Sequence, residues 1–294
     1  MSDTAHRPAN ASPWQLYDEL IAGVPAGIPV RDYCLGTAWS YVEAACGMGV
    51  AWTHRGGAKQ GTARDLRGCD LREVAALAKS WNFEEATLGI AALNAWYARP
   101  ELLDALGAVR EPAAERADDT AENDPAPHRR ANLRADAFDQ YRPRIEAHGD
   151  AHVVVIGHFP RVERIAEHAR LTVLERNCRD EWDTPDPACE YVIPEADYVF
   201  MTGVTLINKT ATRLLRLAQE AQAHTVMVGP SAVMAPALFA RSVEAITGSI
   251  VADPEATRFA VKSGAGKLFG SALQMCVLEA PDAHTTRKRI AGEA

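Results

Sequence analysis

Three groups of residues in this 294-residue chain have the types and spacing for chemistry. The richest is the run 197–231, DYVFMTGVTLINKTATRLLRLAQEAQAHTVMVGPS. An apolar stretch at 198–201 enters Thr202-Gly203-Val204-Thr205 and then Asn208-Lys209-Thr210; a second, at 225–228, enters Gly229-Pro230-Ser231. Glycine beside hydroxyls lets a ligand approach the backbone. The start of the helix that follows favours negative charge, and Lys209 adds a cation. The chemistry is the binding of a small anion by Thr202, Gly203, Thr205, Asn208, Lys209, Gly229, Pro230 and Ser231. The competing reading is dense loop capping, with Asn208 and Thr210 saturating backbone groups. Ser231 lacks the G-x-S-x-G elbow and is not a hydrolase nucleophile.

The second group is Gly157-His158-Phe159-Pro160, after the apolar run 152–156. It stands where a dinucleotide fingerprint would stand but lacks G-x-G-x-x-G, which disfavours classical NAD binding. Pro160 can open the next helix and leave backbone N–H groups free for an anion. His158 has the chemistry of a ligand contact, an acid–base group or a metal donor; it equally serves to fix its loop. Glu175 follows 18 residues after Gly157. A carboxylate there accepts hydrogen bonds from ribose hydroxyls in nucleotide-binding sheets, or pairs with Arg176 or Arg179.

The third group is an acid-rich loop: Cys178, Asp180, Glu181, Asp183, Asp186, Cys189 and Glu190. Carboxylates suit hard cations and thiolates suit soft ones, so a mixed set fits a transition metal. The metal candidates are His158, Cys178, Asp183 and Asp186. No H-x-x-x-H or C-x-x-C spacing supports them, and a solvated acidic loop is the alternative. No residue is assigned a catalytic role.

The elements that must position these groups are legible from periodicity. Apolar runs at 152–156, 171–174, 198–201, 225–228 and 245–251 alternate with helical spacers such as 162–169 and 211–221. That rhythm predicts a parallel sheet covered by helices on both faces. Upstream, Ser12-Pro13-Trp14-Gln15 reads as a capping box opening a helix. Residues 30–54, broken by Gly36, Gly47 and Gly49, predict a small antiparallel sheet. Residues 70–98 read as helical, with Asn82 capping a second helix from Phe83 toward Tyr97. Gly89, Ala91, Ala92 and Ala95 make that helix thin-skinned. Asn94 among them is either a buried amide bonding a neighbouring loop or a ligand contact. Residues 111–130 carry no large apolar side chain and read as a polar linker. The expected division is 1–110, a smaller α+β domain; 111–135, a polar linker or loop; and 136–294, the α/β domain.

Bulk properties bound the partners. The hydrophobic fraction is 47% and the charged fraction 24%, as in soluble globular proteins. The net charge of −8 disfavours nucleic acid and anionic membrane. Neither a signal peptide nor a transmembrane run is expected. The six cysteines, at 34, 46, 69, 178, 189 and 276, are widely spread and read as free thiols of a cytoplasmic protein.

GHFP, IPEADYVFMTGVTLINKT, VGPSAVMAPALF and ITGSIVADP together resemble the Rossmann-like domain of the DUF364 family, labelled a putative heavy-metal chelation domain. SWNFEEATLGIAALNA and the Gly-rich region before it resemble the associated DUF4213 module. The resemblance implies an enolase-N-terminal-like first domain, a Rossmann-like second domain and a pocket between them.

Residues and resemblance lead to one expectation: a two-domain α/β protein binding a small anionic or metal-associated ligand in the interdomain cleft. The lining would be Gly157, His158, Phe159, Pro160, Glu175, the 202–205 loop, Asn208, Lys209 and Gly229 to Ser231, with Asn94 reaching in. The resemblance places it in heavy-metal chelation or metal-cofactor metabolism. Its partner is a small molecule or metal, with no nucleic acid and no membrane; a homodimer is compatible. Two rivals stand beside it: an enzyme using a nucleoside-type cofactor such as an S-adenosyl compound, with Glu175 on the ribose, and a non-catalytic partner or scaffold protein.

Overall fold

The computed structural model describes residues 12–59, 64–111, 137–266, 268 and 272–281. Most of the expected polar linker lies outside these residues.

The first half builds a three-stranded antiparallel sheet: β1 (Val30–Leu35), β2 (Trp39–Ala44) and β3 (Gly47–Trp52), in that order. It is preceded by helix α1 (Gln15–Ala22) and followed by α2 (Leu71–Ala75), α3 (Phe83–Tyr97) and α4 (Pro100–Ala105). Helix α3 begins where its cap dictates: Asn82 Oδ1 accepts from the N–H groups of Glu84 and Glu85, each at 3.0 Å. Eleven of its fifteen residues are buried. A helix apolar all round must be covered all round, and α3 touches β2, β3 and α2. Gly89 permits this: a side chain there would overlap the backbone of Ala78.

The capping box expected at Ser12 is absent. Helix α1 starts at Gln15; Ser12 Oγ accepts from Trp14 N at 3.3 Å, and the Gln15 side chain turns forward to Glu19. The amide therefore finds a partner one turn ahead instead of reaching back.

The second half builds a large sheet from β4 (Val109–Arg110), β5 (His152–Ile156), β6 (Arg170–Glu175), β7 (Asp183–Pro185), β8 (Tyr198–Thr202), β9 (His224–Val228), β10 (Val243–Val251) and β11 (Leu273–Glu279), in the order β4-β11-β10-β9-β8-β5-β6-β7. Its helices are α5 (Ala137–His148), α6 (Cys189–Val192), α7 (Val204–Ile207), α8 (Ala211–Glu220) and α9 (Pro254–Lys262).

The expected parallel sheet is present and carries an antiparallel edge. β7, β6, β5, β8, β9 and β10 run parallel, but β11 pairs antiparallel with β10 and β4 antiparallel with β11. Antiparallel edge strands on parallel sheets are common. β7 escapes notice in sequence because Asp-Thr-Pro carries no apolar pattern and lies at an edge where proline is tolerated. The spacer at 162–169 is a 3-10 turn, Val162–Glu167, preceded by Arg161 at φ +67°.

Alternation along the strands splits the core. Val154, Ile156, Val199 and Met201 face one cluster with Leu214, Leu215 and Ala218 of α8. Val153, Val155, Phe200 and Val226 face the other, with Tyr141 and Ile145 of α5. Each fully buried side chain of this size contributes about 2 kcal/mol. The α8 face also includes residues of α1 and α3, so the two halves share a continuous apolar core. Among the described residues, no helix is long and apolar enough to cross a membrane.

Candidate functional site at the carboxyl edge of the large sheet

The parallel strands β7-β6-β5-β8-β9-β10 follow the classical dinucleotide-fold order, with the direction of winding reversing between β5 and β8. Ligands of such sheets bind outside the strand ends at that reversal. Here the spot is occupied by the chain itself. Gly157 turns away from β5 at φ +93°, and a side chain there would lie 2.9 Å from Thr202 Cγ2. Phe159 folds back toward Gly229 and packs edge-on to Phe138, ring centroids 5.7 Å apart. Pro160 does not open a helix, because the following turn starts at Val162. A six-residue 3-10 turn supplies no anion site.

The run after β8 is capped internally. Thr202 Oγ1 accepts from Val204 N at 3.3 Å, and Thr205 Oγ1 donates to Thr202 O at 2.7 Å. Asn208 Oδ1 accepts from the N and Oγ1 of Thr210. Gly203 allows the loop after β9 to touch: a side chain on it would overlap the backbone of Ser231 and Ala232. That second loop binds the first half of the chain. Ser231 Oγ accepts from Trp52 N at 2.8 Å. Asn94 Nδ2 donates to Val50 O at 2.9 Å and to Pro230 O at 3.2 Å. The amide of Asn94 is 3% exposed, and its Oδ1 accepts no hydrogen bond among the described residues. Nearby, Tyr17 OH donates to Leu206 O at 2.7 Å, and burial pushes its phenol well above the usual range.

Lys209 is different. It sits at φ +68°, a left-handed backbone that non-glycine residues adopt at a cost. Its Nζ donates to Ile207 O at 2.6 Å and lies 5.9 Å from the Tyr17 ring and 5.7 Å from the Phe83 ring. No carboxylate pairs with it among the described residues. Burial pushes its pKa from 10.5 down to about 8. Phe83 also stacks beside His54, ring centroids 5.3 Å apart. His54 Nε2 is 3.4 Å from Arg176 NH1, while Arg176 Nε faces Asp186 at 3.4 Å. A guanidinium only donates, so His54 Nε2 accepts and its proton resides on Nδ1. Burial first, then Arg176 and Lys209, hold the His54 pKa below its usual value. His54, Phe83 and Arg176 were not singled out in sequence; only folding brings β3's end, α3's start and the loops after β6 and β8 to one place.

His158 meets the acidic loop. Its Nε2 is 3.3 Å from Asp180 Oδ2, and its Nδ1 is 3.9 Å from Asp183 Oδ1. Burial raises the Asp183 carboxyl, but the backbone N–H groups of Arg179 and Asp180, with His158, outweigh it and leave the pKa below the ordinary value. The other two metal candidates stay apart from this trio: Cys178 Sγ faces Glu175 O at 3.9 Å, and Asp186 faces Arg176. Among the described residues, the Glu175 carboxylate at the end of β6 makes no hydrogen bond or ion pair, and neither Arg176 nor Arg179 claims it. All six cysteines are free thiols.

Two hollows lie elsewhere. A broad, open one of about 640 Å³, lined by Gly149, Asp150 and residues 166–170, is at the amino ends of β5 and β6 and holds no candidate residue. A smaller one of about 180 Å³ runs between Asp186, Cys189, Thr210 and Arg213.

Comparisons agree with this architecture. The DUF364 family model, described as "Putative heavy-metal chelation", matches residues 139–273, and the DUF4213 model, with the same description, matches 17–97. The chain is similar to a crystal structure of a protein of unknown function from the DUF364 family of Desulfitobacterium hafniense, at 28% identity and a TM-score of 0.74, over 91% of this chain and 98% of that one. A DUF364-family structure from Pyrococcus horikoshii shares the fold at 21% identity and a TM-score of 0.70, over 91% of this chain and 99% of that one. No curated protein matches the chain. A DUF4213 domain followed by a DUF364 domain, on the fold of these neighbours, makes the chain a member of the family described as putative heavy-metal chelation.

Proposed function

We propose that the protein binds a small anionic ligand, free or associated with a metal, at the seam where Lys209 and Arg176 meet His54 and Phe83, and that it serves transition-metal handling or metal-cofactor metabolism. The observation that carries this reading is Lys209. Its ammonium is withdrawn from water, lies near two aromatic rings and has no carboxylate partner among the described residues. A desolvated cation without a counter-charge is unfavourable, and an anion beside it removes that penalty. Arg176 adds a permanent charge beside His54. The family description supplies the metal context.

The test is thermal unfolding of chelator-treated protein at pH 7 and constant ionic strength, with phosphate, sulfate, molybdate or a metal–citrate complex added. A ligand at 100 times its dissociation constant stabilises the native state by about 2.7 kcal/mol. At least one anion should give such a shift, and Lys209→Met should abolish it. No shift with any of them refutes the reading.

A second reading keeps one observation in its favour. Glu175 ends the strand beside β5, where ribose-binding carboxylates stand, and its own carboxylate is unengaged among the described residues. Stabilisation by an S-adenosyl compound or adenine nucleotide, lost in Glu175→Gln, would select it.

A further inference from the structure

We propose that His158, Asp180 and Asp183 form a site for one divalent first-row transition-metal ion of the borderline class: zinc, nickel or cobalt. The inference stands on different residues from the Lys209 reading.

One ligand atom from each of the three side chains lies within 4.8 Å of the others. Bonds of about 2.0–2.2 Å place the donors of a tetrahedral or octahedral ion about 3–3.5 Å apart. A contraction of roughly an ångström closes the set. The exposed side chains of His158 and Asp180 are free to make it, at 44% and 45% accessibility.

Asp183 supplies the fixed point and the independent evidence. Its side chain has no exposed surface. Oδ2 accepts from Arg179 N at 2.7 Å and Asp180 N at 3.0 Å. Oδ1, equally removed from water, accepts no hydrogen bond among the described residues and faces His158 Nδ1. A buried carboxylate oxygen left without a donor is costly. A cation between it and the imidazole satisfies it, while the two backbone bonds hold the carboxylate in place as outer partners do in metal sites.

The donor chemistry selects the ion. One imidazole nitrogen and two carboxylates suit zinc, nickel and cobalt. Soft ions prefer thiolates. Cys178 is turned to the Glu175 carbonyl, and Cys189 and Cys276 are buried. Three protein donors leave the remaining positions to water or to a chelated small molecule.

The experiment is a cobalt(II) titration of the full chain, stripped of metal and free of phosphate, followed by visible absorption and calorimetry. The expected result is one ion per chain, with ligand-field bands of a nitrogen–oxygen site and no thiolate charge transfer. His158→Gln and Asp183→Asn should each weaken binding at least about 100-fold, and Cys178→Ser should leave the spectrum unchanged. If Asp183→Asn does not fold, His158→Gln and Asp180→Asn, on exposed side chains, decide alone. Absence of cobalt, nickel and zinc binding overturns the site, as does unchanged affinity in His158→Gln or a lost spectrum in Cys178→Ser. The anion titration starts from metal-stripped protein with phosphate, sulfate or molybdate and this one is made without anion, so either can fail while the other stands.

Discussion

Replacing Lys209 with methionine isolates the cost of its burial. Methionine keeps the length and the apolar stem, and the backbone strain at φ +68° is common to both chains. The folded amine has its pKa lowered from 10.5 to about 8. That difference of ~2.5 units corresponds to about 3 kcal/mol at roughly 1.4 kcal/mol per unit. The substitution also removes the bond from Nζ to Ile207 O, worth about 1–2 kcal/mol. The net expectation for ligand-free protein at pH 7 is a gain of about 1–2 kcal/mol. With an unfolding entropy of about 0.6 kcal/mol/K for a chain this long, Tm rises by roughly 2–3 °C. The sign of the pH dependence follows from proton uptake. Between pH 8 and 10.5 the unfolded lysine holds a proton that the folded one has lost, so wild-type stability rises with pH across that window. The variant lacks this term, so its advantage should shrink from pH 8 upward and reverse, leaving it the less stable chain above pH 10.5 by the lost bond, about 1–2 kcal/mol. The assay is urea denaturation of both proteins at half-unit intervals, taking the difference so that other titrations cancel. A variant that is less stable than wild type by an amount independent of pH would refute the reasoning. Lys209 would then be an ordinary hydrogen-bonded surface amine with no latent charge for a ligand.

Three further outcomes are expected. Asn94→Ala removes the donors to Val50 O and Pro230 O inside the core and should cost about 1–3 kcal/mol, read as a lowered urea midpoint. Gly203→Ala drives a methyl into the backbone of Ser231 and Ala232, so the loops after β8 and β9 must part; a loss of about 3 kcal/mol or more, or insoluble protein, is expected, and wild-type stability would show that the loops can separate freely. Acid should destabilise the fold below about pH 6.5. His152, 4% exposed between Glu195 O and Thr172 Oγ1, has its pKa lowered chiefly by burial, and His54 is lowered in the same direction. The unfolded histidines therefore take up protons first, and stability falls as pH falls through their unfolded values; His152→Gln should flatten that slope in urea melts at pH 5 to 7.

How much the sequence determined differs from group to group. The five central strands, helix α8 and the Asn82 cap of α3 were legible because each rests on local pattern: continuous apolar runs, a 3.6-residue stripe, a side chain two residues from the N–H it satisfies. The small antiparallel sheet was legible from its glycine breaks. The family was legible because the runs that carry the resemblance are contiguous in sequence. β7 and β4 were not, because strands of three and two residues are too short to carry an alternating apolar pattern; β11 was passed over although Leu273, Cys276, Val277 and Leu278 are buried in the core. The run 197–231 was read as a ligand site, and the tertiary structure engages much of it in internal contacts. Pro230 and Ser231 meet α3 and β3 across more than a hundred residues of chain, answering Asn94 and Trp52, and Gly203 lets the loop that carries them close in. His158 and Asp183 were named as donors from their types. Only the fold, by setting β7 beside β6 next to the end of β5, brings them together with Asp180. The meeting of His54, Phe83 and Arg176 gave no signal, since groups that converge from separate elements have no spacing to read. Sequence fixes residue types and local geometry; which charges meet, and which lose their water, is decided by the packing of distant segments, because desolvation depends on everything that surrounds a group.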